Sequence, residues 1–196
     1  MPVWQWILIA VIILVAVAVV ILALSMSRRK KSERLQQRFG PEYQRTVSET
    51  GDTRAAEKQL ADREHERAQL DIVALTPEAA QAYAHRWRSV QTAFVDTPSS
   101  AVGDADRLVT EVMNERGYPV DDFEKRAADI SVDHPTVVEN YRAGHAIHLA
   151  QQYGDVGTEA QRQAFVHYRA LFEKLLYQDA EPHTPQHTGT NREARS

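Results

Sequence analysis

His145 and His148 are the strongest candidates for metal chemistry, an H-x-x-H pair on a predicted helix. Residues three apart share a helix face, but zinc takes three or four ligands. His134, His167 and Glu139 are the residues the fold would have to recruit. Carboxylate-bridged bundles use Glu-x-x-His twice, and no Glu in the chain is followed three residues later by His. H-E-x-x-H is absent too, so no metal and no cofactor is expected. Tyr141-Arg142-Ala143 and Tyr168-Arg169-Ala170 repeat a tripeptide on two neighbouring predicted helices. Two arginines could pair on one anion; the plainer reading is a tyrosine at the core edge with the arginine head on a carboxylate. Arg142, His145, His148 and Arg169 are therefore the residues an enzyme or a metal-dependent small-molecule binder would use. Nucleophile and phosphate-loop signatures are missing: there is no cysteine, no G-x-S-x-G, no G-x-x-x-x-G-K-[ST] and no G-x-G-x-x-G.

Charge gives a different candidate. Asp96 to Asp133 holds ten acids against four bases, while the whole chain of 196 residues carries a net charge of only −4. Such runs are usually solvated faces. The sharper reading is an acidic contact surface for a basic protein partner, with Asp121, Asp122 and Glu124 set around Tyr118 and Phe123. Acids steer such a partner and an aromatic anchors it. The overall acidic balance argues against a nucleic-acid partner.

These residues need elements to position them, and the first element is a candidate anchor. Ile7 to Leu24 are eighteen consecutive apolar residues. As a helix they span roughly 27 Å, close to the hydrocarbon core of about 30 Å. Trp4 and Trp6 stand at one end; Arg28, Arg29, Lys30 and Lys31 follow the other. A buried core helix would keep a polar face. A cleaved signal peptide would have a basic start and a shorter apolar stretch. The pattern predicts a transmembrane anchor over 1–27. The bilayer is then one partner, with Trp4, Trp6 and the basic tetrad at its interfaces. The cationic flank places the N-terminus outside and the rest in the cytoplasm.

Beyond the anchor, apolar content divides the chain. Residues 32–76 contain 9 large apolar residues in 45; residues 77–177 contain 30 in 101. The first stretch reads as a basic flank, short helices and a charged helical stalk (28–76). A helix from Ser32 ends at Gly40, another runs from Pro41 to about Glu49, and Arg54 to Leu75 forms a solvated helix supported by its propensity and i,i+4 pairs. The second stretch reads as a compact helical bundle (77–177). Thr76-Pro77 is an N-cap followed by Pro at the first helical position. Tyr83, Trp87, Val90 and Phe94 make one apolar face, and the last helix turns Phe165, Tyr168, Leu171, Phe172, Leu175 and Leu176 inward. Asp133 and Pro135 begin a helix carrying Val137, Val138, Tyr141 and His145. Residues 178–196 have no large apolar residue and are expected to be disordered. No stretch alternates like a strand, so the fold class expected is all-α.

Four strings, RFGPEYQRTV (Arg38–Val47), RWRSVQTAFVDTP (Arg86–Pro98), VMNERGYPVDDFEKRAADISVDHPTVVENYRAGH (Val112–His145) and FVHYRALFEKLL (Phe165–Leu176), together resemble a family of uncharacterised bacterial proteins described as membrane or secreted proteins. The resemblance covers most of residues 34–177. It implies that Arg38–Val47 and the bundle belong to one protein type, and it brings no activity, ligand or catalytic residue with it. The "secreted" descriptions read as signal-peptide interpretations of the anchor and keep an extracytoplasmic orientation open. The expectation for function is a membrane-anchored helical adaptor or scaffold that binds another, unidentified protein, and not an enzyme.

Overall fold

The computed structural model describes residues 3–154 and 156–177, and within them the side chains of Ile7 to Ile13 and of a few other α1 residues lie outside the description. The described residues form eight helices and no strand, so the fold is all-α. In chain order they are α1 Val3–Phe39, α2 Pro41–Thr50, α3 Thr53–Ala68, α4 Pro77–Asp96, α5 Pro98–Glu115, α6 Phe123–Asp133, α7 Val138–Tyr153 and α8 Gly157–Tyr177. The expected tail, 178–196, falls outside the described residues.

Capping explains most of the punctuation. Asp52, Thr76 and Asp122 each accept a hydrogen bond from the backbone N–H three residues on, at Ala55, Ala79 and Lys125. That satisfies donors the first helical turn leaves open. Pro41, Pro77 and Pro98 open their helices, where a missing N–H costs nothing. Gly51 ends α2 in the left-handed region, with its N–H on Val47 O. Gly117 is more constrained. Its φ is +94°, and a Cβ there would lie 2.5 Å from Asp71 O. The segment after α3 crosses the end of α5 at this point: Val73 N–H donates to Arg116 O, and Arg116 donates back to Val73 O and on to Leu175 O.

Two cores result. The larger lies among α4, α5, α6, α7 and α8, where Trp87 stacks on Phe172 (ring centroids 4.5 Å apart) and on Phe165 (5.0 Å). Gly144 lets α7 approach α8 closely, since a Cβ there would stand 3.3 Å from the Tyr168 ring. The smaller core holds Leu35, Phe39, Tyr43, Leu60 and Val132, contributed by α1, α2, α3 and α6.

That second core changes the reading of residues 28–76. The solvated stalk expected there is packed: α3 lays Ala56 and Leu60 inward at zero exposure, and its Arg67 pairs with Asp133 on α6. Its Arg63 pairs likewise with Glu42 on α2. Three boundaries also differ. α3 ends at Ala68 rather than Leu75, with Gln69 N–H closing on Glu66 O. No new helix starts at Ser32, because nothing interrupts α1 before Gly40. The helix expected from Asp133 begins at Val138, because the chain turns at His134, whose carbonyl accepts from Val137 and Val138 N–H. Among the described residues no helix is long and apolar enough to cross a membrane. The run Ile7–Leu24 belongs only in part to that set.

Candidate functional site

The residues proposed for metal or small-molecule chemistry separate in space. Arg142 is committed to Glu42, donating from Nη1 to Oε2 (2.7 Å) and from Nη2 to Oε1 (2.9 Å). Arg63 reaches the same carboxylate at 2.8 Å. Glu42 is 1% exposed, so two guanidinium groups from α3 and α7 neutralise one buried charge on α2, with the fork geometry that makes arginine suited to it. Glu139 sits beside this junction. Burial alone would raise its carboxyl, but Arg45 and Arg142 outweigh that and hold it below the usual range. Arg169, the other arginine of the repeated tripeptide, pairs with Glu173 on its own helix in solvent. The two arginines thus serve different acids, while both tyrosines of the repeat are fully buried.

His145 belongs to another cluster, at the α5–α7–α8 contact. Its ring stacks on Phe123 with centroids 3.7 Å apart. Its Nδ1 stands 3.5 Å from Asp106 Oδ1, an ion pair only when the imidazole is protonated. Tyr168 donates its hydroxyl to the same Asp106 oxygen at 2.9 Å. Burial raises the Asp106 carboxyl, yet His145 and the Tyr168 hydroxyl more than offset it, and the group lies below its ordinary value. Burial, followed by the Asp106 charge, drives the Tyr168 phenol well up. Asp106 thus accepts from a phenol held neutral by burial and lies beside the imidazole of His145. His148 lies 6.2 Å from His145 ring to ring, and His167 is turned to Asn140 (3.0 Å). Among the described residues no group of three or more His, Asp or Glu is placed to hold a metal.

The acidic stretch disperses as the chain folds. Glu111 pairs with Arg86, Glu115 accepts from Tyr83, Asp133 holds Arg67 and Tyr118, and Asp104 pairs with Arg107. Two of the six excess charges, on Glu111 and Asp133, thus meet bases from outside the stretch. Tyr118 is a correction to the candidate contact set. It is 2% exposed and its hydroxyl donates to Asp133, so its ring faces the core and cannot anchor a partner. Phe123 is half-buried against Tyr141 and His145. Asp121, Asp122 and Glu124 do remain exposed at the α5–α6 turn, none of them in an ion pair among the described residues, although Asp122 is spent as the α6 cap.

A third cluster was not visible in the sequence. Arg29, Lys31 and Ser32 of α1 meet Arg54, Glu57 and Lys58 of α3 around an open cleft of about 460 Å³. Of the remaining interface candidates, Trp4 is largely exposed and Lys30 is exposed, while the side chains of Trp6 and Arg28 lie outside the described residues. Spacing could not have found the cleft, the Glu42 junction or the Asp106 cluster, since each joins residues at least 20 positions apart. No family model, no curated protein and no solved structure matches this chain.

Proposed function

We propose that the protein is a single-pass membrane-anchored helical adaptor that presents a protein-binding domain at the bacterial membrane, with its C-terminal part in the cytoplasm. The observation that carries this reading is the continuity of α1. One helix runs from the apolar segment into the smaller core, where Leu35 and Phe39 have zero exposure. Its earlier side chains have nothing of the chain upon them: Leu14, Val15, Val17, Val19, Val20 and Leu22 are 52–70% exposed. Large apolar side chains left bare in a row mark contact with a membrane or a partner, and the lack of any acid or base before Arg28 favours lipid. A continuous helix holds the domain at a fixed attitude to the bilayer, which suits presentation of a surface.

The enzyme reading loses support because Arg142 and Arg169 already have carboxylate partners and His145 is packed face to face on Phe123. The surface available to a basic protein partner is the α5–α6 turn. Affinity isolation from the protein's own membranes after crosslinking tests this, comparing wild type with Asp121→Lys plus Glu124→Lys. Asp122 is left alone because removing its cap would cost about 1 kcal/mol. The partner recovered with wild type should be lost with the variant, and its capture should weaken with salt. Equal recovery at low and high salt would exclude this turn as the interface.

A further inference from the structure

We infer that the cleft between α1 and α3 is a headgroup site for anionic phospholipid, formed by Arg29 and Lys31 on one wall and Arg54 and Lys58 on the other. It rests on the reading of Ile7–Leu24 as a membrane anchor. The path of the chain creates it. α1 leads away from the apolar run, α2 returns alongside it, and α3 sets out again in the direction of α1. Contacts fix this order: Tyr43 meets both Ser32 and Glu57 (3.3 and 3.0 Å), while Arg34 and Arg38 meet Glu64 farther along. The start of α3 is thereby brought down to the level of the basic tetrad. Arg29 lies five residues beyond Leu24, about 7.5 Å along the helix axis. That depth matches the polar layer flanking the hydrocarbon core, roughly 5–8 Å on each side.

The charges of the cleft are unevenly satisfied. Among the described residues Arg29, Lys31 and Arg54 form no ion pair, and Lys58 pairs only with Asp62 in solvent (2.7 Å). Three of the acids near the cleft have partners on the protein. Glu57 accepts from Tyr43, Glu49 is held by Arg45, and Asp52 caps α3. Four cations line the opening, Arg29 and Lys31 on α1 and Arg54 and Lys58 on α3, against one carboxylate, Glu57, with Ser32 beside them. A phosphodiester carries one negative charge and unesterified oxygens that two arginines and two lysines can share. The tetrad alone would give a diffuse attraction to any anionic surface; the second wall makes a two-sided site.

The test uses the full chain in bilayers of phosphatidylcholine, alone or mixed with phosphatidylglycerol. Flotation with phosphatidylcholine vesicles reports the anchor by itself. Native mass spectrometry of the protein released from the mixed bilayers reports which lipid it keeps. Wild type should float in both and retain phosphatidylglycerol preferentially. Arg54→Ala with Lys58→Ala should float equally and keep its melting temperature, both residues being exposed. Its phosphatidylglycerol retention should fall at least about tenfold, since each cation near an anionic surface contributes about fivefold. Retention equal to wild type would show that the tetrad suffices and would overturn the cleft. Displacement of the lipid by inorganic phosphate at matched concentration would make it a soluble-anion site and overturn the lipid assignment. Failure to float would remove the anchor, and the inference with it.

Discussion

Asp129 and Asp106 respond to burial in opposite directions. Asp129 is 2% exposed, its Oδ2 has no hydrogen-bond donor, and Lys125 comes no closer than 3.9 Å. Burial therefore pushes its carboxyl above the ordinary value. A group that binds its proton more tightly when folded costs stability as pH rises out of the carboxylate range, and the loss persists at neutral pH. Asp129→Asn should melt higher than wild type at neutral pH, with the gain shrinking as pH falls through the raised folded value and gone below about 4. Asp106 has the reverse sign. Its lowered value supplies stability above the ordinary carboxylate pKa, and that stability is lost as pH falls through the folded value. Asp106→Asn should melt lower than wild type at neutral pH and converge with it in acid. Thermal melts over that pH range check both, and parallel curves would refute the assignment. The Glu42 junction contributes more than any exposed ion pair. Glu42→Ala leaves Arg63 and Arg142 facing each other with no shared counter-charge, and should cost about 3 kcal/mol by chemical denaturation. Glu49→Ala removes an exposed pair and should cost well under about 1 kcal/mol.

Among the helices, α4 meets α8 through Trp87, whose ring stacks on Phe165 and Phe172. Trp87→Ala should cost roughly 3–5 kcal/mol, and Trp87→Phe distinctly less, measured by the same denaturation. The packed α2–α3 pair makes a second claim at this scale. Removing residues before 77 would expose Val132 and strip Asp133 of Arg67 and Arg142 of Glu42. A 77–177 fragment should therefore melt lower than a 32–177 fragment, and the longer one should melt cooperatively. Equal melting temperatures would mean that α1–α3 ride on the bundle without supporting it.

For the molecule as a whole, the absence of cysteine gives a clean assay of orientation. A single cysteine introduced near residue 190 should resist impermeant thiol reagents in intact cells and react after lysis. Labelling of intact cells would instead place the domain outside. Zinc supplies a second whole-molecule test. A native-state ligand raises the melting temperature by mass action, so zinc added to metal-free protein should leave it unchanged, and His145→Ala and His148→Ala should alter stability through packing alone. A zinc-dependent rise lost in both variants would restore a metal site at the α5–α7 contact.

Local rules determined much of this protein. Caps and prolines marked the start of α2, α3, α4 and α6, and the 4-3-4 spacing of Tyr83, Trp87, Val90 and Phe94 announced the buried face of α4. These depend on neighbours within one or two turns, which the sequence contains. The apolar run and its basic flank are likewise written in the order of residues. What packing decided was the fate of charge. Arg63 and Arg67 read as part of a solvated stalk, because nothing near them in sequence says that Glu42 and Asp133 will meet them. Asp96–Asp133 read as an acidic surface, because its partners Arg67, Arg86 and Tyr168 come from α3, α4 and α8. Tyr118 read as an anchor for a partner, because its burial depends on Asp133 and on a crossing segment 45 residues earlier. A charged side chain has no hydrophobic periodicity to betray its direction, so only the tertiary structure settles which other charge it will face.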